Sequence, residues 1–199
     1  MTEISMTTFV DFVLASGTKR LTCVRTAKAD YAQPYKPARD FYGALREAIV
    51  DMHQNQRPRE SLDSALLGVG NTRTSAYVEC IAAYKQWCGR KRFQWTDTFR
   101  SDWTNGGLTV KVNPELGMRI NGTPYIIKLY FKGESPSKIR LETMFHLLRL
   151  SLPRELVDAT PGILDVRRGN LFVPSRQIAD IEALLAGEAS AFQTIWDAI

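Results

Sequence analysis

Cysteine and histidine are scarce in this chain of 199 residues, which has 3 of the first and 2 of the second. Cys23, Cys80 and Cys88 are odd in number and lack CxxC spacing. On one helix, Cys80 and Cys88 would stand about 12 Å apart, beyond disulfide reach. A reducing, cytoplasmic setting is therefore expected, and with only His53 and His146 to add, a structural zinc site is not. No apolar run approaches the roughly 18 residues of a membrane span, so no membrane partner is expected. Residues 1–17 contain Asp11 and lack a basic start, unlike a secretion signal, so the chain is expected to be unprocessed. A strong charge imbalance is missing too. The 26 basic and 21 acidic residues leave a net charge of +5, which favours a polyanionic partner without requiring one. No nucleophile elbow or spaced triad points to a serine hydrolase or cysteine protease. Gly68-Val69-Gly70-Asn71 has no clear strand before it and no GK[ST] ending, so it reads as a helix boundary rather than a phosphate loop.

What is present is a dense β signal from Leu108 to Lys132, read as three strands. Asn121-Gly122 between two alternating runs is a hairpin signal, because a type I′ turn needs positive φ at both central residues. The turn sets the register: Ile120 opposite Thr123, Met118 opposite Tyr125, Leu116 opposite Ile127, Glu115 opposite Lys128. One face then carries Leu116, Met118, Ile120, Tyr125, Ile127, Leu129 and Phe131 and belongs to the core. The other carries Glu115, Gly117, Arg119, Ile126, Lys128, Tyr130 and Lys132, and a slip of one residue would bury its charges.

Elsewhere helical spacing predicts a helix over Ser5–Ser16, one from Pro37 through Ala38 to His53 along Phe41, Leu45, Ala48, Ile49 and Met52, and one over Thr74–Trp87. Leu21–Val24 reads as a short strand, and AQPYKP as a loop. The stretch QNQRPRES reads as a loop or an exposed basic arm. Ser135-Pro136 is expected to open a helix that buries Leu141, Met144, Phe145, Leu148 and Leu152, leaves Lys138, Glu142, His146 and Arg149 on another side, and ends at Pro153. A second hairpin is placed around Arg168-Gly169-Asn170. A last helix is capped by Ser175, runs through Ile178, Ile181, Leu184 and Leu185, and breaks at Gly187.

Between Lys85 and Trp103, cations alternate with rings. Arg90, Lys91, Arg92 and Trp95, with Arg119 and Lys132 of the hairpin, are the candidate nucleic-acid-binding residues, since cations neutralise phosphates and exposed rings stack on bases. The plain alternative places the cations at a helix C-terminus, where its dipole favours them, and the rings in the core.

From Thr74 to Val173 the order of helix, three strands, helix and strand, with Pro114-Glu115 opening the second strand and Lys128 on the third, resembles the restriction-endonuclease-like PD-(D/E)XK superfamily. The resemblance implies an α/β (α+β) fold, a mixed and mostly antiparallel sheet flanked by helices. Residues 73–199 would form the core and residues 1–72 an N-terminal helical extension, unless the whole is one compact domain. It also implies Mg²⁺-dependent phosphodiester cleavage, with Glu115 and Lys128 catalytic and metal held by Glu115 with Glu79 or Glu142. Ile126 stands where the family has a carboxylate, so the metal site is incomplete or relocated. The expectation is a protein that binds nucleic acid, DNA before RNA. Its alternatives are an active nuclease, or a non-enzymatic subunit that binds a protein partner or a second copy of itself. Lys111, Arg119, Lys128 and Lys132 would line one basic face. If Glu115 and Lys128 are instead a solvent-facing ion pair, they contribute about 0.2 to 1 kcal/mol and no chemistry.

Overall fold

The computed structural model describes residues 2–34, 40–175 and 180–199. Thr2–Ser5 forms strand β1, and Ser5 then caps α1 (Met6–Leu14), its hydroxyl accepting from the Thr8 N–H at 3.1 Å. Helices α2 (Thr18–Tyr31), α3 (Gly43–Gln54) and α4 (Asn71–Cys88) follow, with a 3-10 segment, Arg59–Leu66, before α4. Strands β2 (Phe93–Thr96), β3 (Ser101–Asn105), β4 (Leu108–Val112), β5 (Leu116–Ile120) and β6 (Thr123–Tyr130) come next. Then come α5 (Lys138–Ser151), β7 (Thr160–Asp165), β8 (Asn170–Phe172) and α6 (Ile181–Ala198).

The result is a mixed α/β fold with two mostly antiparallel sheets flanked by helices. Five strands pair in the order β2-β5-β6-β7-β8, with β6 and β7 parallel across the α5 connection. The other three pair in the order β1-β4-β3, with β1 parallel to β4. Asn121 and Gly122 have φ of 51° and 91°, and the β5–β6 register is the one the turn dictates, Leu116 with Ile127 and Ile120 with Thr123.

Two cores sandwich the larger sheet. Leu116, Met118, Ile127, Leu129 and Leu164 pack under Leu45 and Ile49 of α3 and Tyr77, Ile81 and Tyr84 of α4. On the other side Tyr130 and Ile163 join Phe9 and Phe12 of α1, Met144 and Leu148 of α5, Leu185 and Phe192 of α6, and Val110 of the smaller sheet. The sheet's polar face is thus covered rather than solvated: Ile126 and Tyr130 are buried.

Several sequence expectations change. Leu108–Val112 is not the strand beside β5; Phe93–Thr96 takes that place, while β3 and β4 leave the sheet as a separate hairpin through Gly106 and Gly107, with φ of 56° and 83°. Leu21–Val24 is helical because Val24 and Ala27, one turn apart, reach the core and Arg20 lies over the Phe12 ring. The N-terminal segment is no plain helical extension, since it supplies β1 to a sheet and Phe9 and Phe12 to a core. Helix α3 begins at Gly43 rather than near Pro37, which lies with Ala38 outside the described residues, and Phe41 is exposed. Ser137, not Ser135, caps α5. Helix α6 starts at Ile181, not at Ser175, and runs unbroken through Gly187; Ile178 lies outside the described residues.

Candidate functional site

Glu115 and Lys128 face each other at the start of β5 and the middle of β6. Lys128 Nζ donates to Glu115 Oε1 at 2.5 Å and to the Asn113 carbonyl at 2.9 Å, while Glu115 Oε2 accepts the Leu129 N–H at 2.8 Å. Their side chains are only 14% and 12% exposed, so the pair is not the solvent-facing bridge of the plain alternative. Removing one partner would strand a largely buried charge.

The pair stands where two cavities meet. The larger, about 1010 Å³, is walled by Arg46, Glu47 and Asp51 of α3, by Asp97 to Arg100, and by Asn113 to Glu115. The smaller, about 210 Å³, is lined by Tyr42, Arg46, Lys128, Phe131, Lys132 and Arg140, among others. Thr7, Arg46, Glu115 and Lys128 border both. Arg46 pairs with Asp40. Asp11 of α1 takes Lys132 Nζ and Arg140 Nη1, each at 2.6 Å, and Arg140 also lies 5.9 Å from the Tyr130 ring centre.

The wall of the larger cavity depends on a backbone crossing. Where β2 ends, the chain passes over Gly117: a Cβ there would stand 2.3 Å from the Asp97 carbonyl oxygen. The Thr98 hydroxyl then donates to the Pro114 carbonyl at 3.0 Å and ties the crossing to the residue before Glu115.

The three candidate metal ligands are not brought together. Among the described residues no group of three His, Cys, Asp or Glu could hold a metal ion. Glu79 is on an exposed face of α4 and pairs with Arg167, whose Nη1 donates to Tyr42 Oη at 3.0 Å. Glu142 is buried beside His146, because α6 covers the side of α5 that the sequence left open, and it lines a separate cavity of about 30 Å³. Glu115 alone reaches the cleft, with both oxygens already accepting. The residues present therefore do not fit a Mg²⁺ centre built on these carboxylates.

The candidate nucleic-acid residues divide. Arg92 and Arg119 are exposed diagonal neighbours, since Gln94 pairs with Arg119 and the Asn121 N–H donates to the Arg92 carbonyl at 2.9 Å. Exposed Arg90 precedes them in the chain. They sit at the far end of β5, roughly 14 Å from Glu115 at the rise of a strand. Lys91 instead closes α4, donating to the Trp87 carbonyl with its ammonium 5.3 Å from the Trp87 ring centre. Trp95 is half-buried against the α3–α4 core with one edge on the larger cavity. Lys132 lines the smaller one. Lys111 belongs to the other sheet, where it pairs with Glu3 and Asp102, so it does not share a face with Lys128. Sequence reasoning missed Asp11, Arg46 and Arg140. Asp11 and Arg46 come from helices distant in the chain and Arg140 from the helix that follows β6, and their only sequence signal was charge on an otherwise apolar or amphipathic segment.

No helix among the described residues is long and apolar enough to cross a membrane. No protein-family model and no curated protein matches the chain in sequence.

Proposed function

We propose that this protein binds nucleic acid, DNA before RNA, at the Glu115–Lys128 pair and the cationic pocket beside it, and that it does so without cutting the chain. The observation that carries this reading is the position of that pair, held on opposed strands between a large cleft and a pocket rimmed by Arg46, Lys128, Lys132 and Arg140. Part of the order on which the resemblance to PD-(D/E)XK nucleases rests supports it: α4 precedes the β5–β6 hairpin and α5 leads from β6 to parallel β7, while the first of the three expected strands, Leu108–Val112, lies in the other sheet and β2 stands in its place beside β5. Arg90, Arg92 and Arg119 add exposed positive charge at the same sheet's edge. Cleavage is the weaker reading, because Glu115 has no second carboxylate of the expected set beside it and both its oxygens are engaged.

The test is binding of single- and double-stranded DNA and RNA over a salt series, with and without Mg²⁺, while substrate length is followed. Salt-sensitive binding with unchanged length is expected. Metal-dependent shortening that disappears in Glu115→Ala would replace this reading with an active nuclease. No retention at any salt concentration would leave a protein-binding subunit, to be sought by its oligomeric state and co-purifying chains.

A further inference from the structure

We infer that the smaller pocket is a subsite for a terminal phosphate monoester, so that the protein reads the end of a nucleic-acid strand rather than its interior. The inference rests on the nucleic-acid reading above and adds the chemistry of the group recognised.

Four cations line the pocket, Arg46 from α3, Lys128 and Lys132 from the β6 strand and its end, and Arg140 from α5. With Asp40 on Arg46 and Asp11 on Lys132 and Arg140, they exceed by one charge the three carboxylates that pair with them, of which only Glu115 lines the pocket. That carboxylate is already neutralised by Lys128 Nζ at 2.5 Å and by the Leu129 N–H at 2.8 Å. Asp11 holds Lys132 and Arg140 together from α1, each at 2.6 Å, and so fixes two cations for the charge of one. Among the described residues Arg140 spends one of its five donors there and Lys128 two of its three on Glu115 and Asn113, so within this set donors remain for an anion. A terminal phosphate monoester presents three unesterified acceptor oxygens to those donors, against two on an internal diester.

Size and surroundings favour an end. About 210 Å³ is below the roughly 300 to 1,000 Å³ of small-molecule sites, so the pocket admits one compact group. The adjoining cleft is lined by carboxylates of Asp40, Glu47, Asp51, Asp97 and Glu115 against cations of Arg46, Arg100 and Lys128. With five carboxylates to three cations it disfavours phosphates seated within it and offers acceptors to the amino and hydroxyl groups of a terminal nucleoside.

The experiment measures binding by the full chain of one single-stranded DNA sequence in four forms: 5′-phosphorylated, 3′-phosphorylated, unphosphorylated at both ends, and closed circular. Inorganic phosphate serves as competitor. One phosphorylated form should bind about tenfold tighter than the unphosphorylated and circular forms, as one added charge-assisted contact implies. Inorganic phosphate should erase the difference, and Lys132→Gln or Arg140→Gln should bring the ratio close to one. Should either variant fail to fold, the phosphate competition on the unaltered protein decides. Equal binding of all four forms overturns the end subsite and leaves nucleic-acid binding standing. No DNA binding, with a Tm raised by inorganic phosphate, overturns the nucleic-acid reading and keeps the pocket as an anion site. Neither DNA binding nor a phosphate effect overturns both.

Discussion

Gly117 sets the shape of the cleft through what it lacks. A methyl group there would meet the carbonyl oxygens of Asp97 and Thr96 at 2.3 and 2.6 Å, both of them backbone atoms that cannot rotate away. Gly117→Ala must therefore lift the crossing that walls the cleft, and it should destabilise the fold by about 3 kcal/mol, the upper range for overpacking. Denaturant unfolding measures this, and a change within 0.5 kcal/mol or so would show that the crossing yields freely. A second residue tests the core behind the sheet. His53 is buried with Nε2 2.7 Å from Tyr84 Oη, and burial pushes its imidazole down to about 4 from an ordinary 6.5. The unfolded chain takes up this proton near pH 6.5 and the folded chain only near pH 4, so stability is full above pH 6.5 and falls as pH drops between the two values. The loss amounts to roughly 2 kcal/mol at pH 5. His53→Leu should flatten that part of the pH profile while costing about 1 to 3 kcal/mol at pH 7, because the fully buried Tyr84 hydroxyl loses its partner. His146, which burial also shifts downward, keeps a smaller slope of the same sign in the variant.

The β5–β6 hairpin shows which elements a sequence declares and which it does not. Asn121 holds φ at 51°, and its Oδ1 accepts the Arg92 N–H at 3.0 Å, so the turn both closes its own hairpin and anchors the start of β2. Asn121→Gly keeps the backbone and loses the side-chain bond, which should cost about 1 kcal/mol. Asn121→Ala also strains the left-handed conformation and should cost about 2 to 3 kcal/mol. Equal losses in thermal or denaturant unfolding would mean that the anchor, not the turn, sets the stability. This register was legible because turn chemistry and alternation are local and agreed. The partner of β4 was not: Leu108 to Val112 alternates in the same way whichever strand it joins, and only Asn105-Gly106-Gly107, another turn with two positive φ values, marked the hairpin that draws it out of the larger sheet. Likewise α2 buries just Val24 and Ala27, too thin a stripe to override the strand-like look of Leu21 to Val24. Of the site, Glu115 and Lys128 followed from the register, whereas Asp11, Arg46 and Arg140 arrive through tertiary packing that no local pattern records.

At the scale of the molecule, a net charge of +5 is too small to steer a polyanion unless it is concentrated, and two groups of cations stand along the larger sheet. One is the pocket of Arg46, Lys128, Lys132 and Arg140; the other is the exposed group of Arg90, Arg92 and Arg119 at the hairpin end of β5. The backbone crossing over Gly117 stands between them. If a bound strand begins at the pocket and runs past the hairpin end, each arginine that meets a phosphate releases counterions, and the logarithm of the binding constant falls linearly with the logarithm of salt concentration. The double change Arg92→Ala and Arg119→Ala should then reduce that slope by about two, one for each lost phosphate contact. The two side chains are exposed, so the fold should change by no more than about 0.5 kcal/mol and the slope can be read cleanly. Lys128→Ala should lower the slope by about one and also destabilise the fold, because Glu115 is left largely buried without its cation. A double variant with an unaltered slope would take the strand's path away from the hairpin end and confine recognition to the strand's end at the pocket.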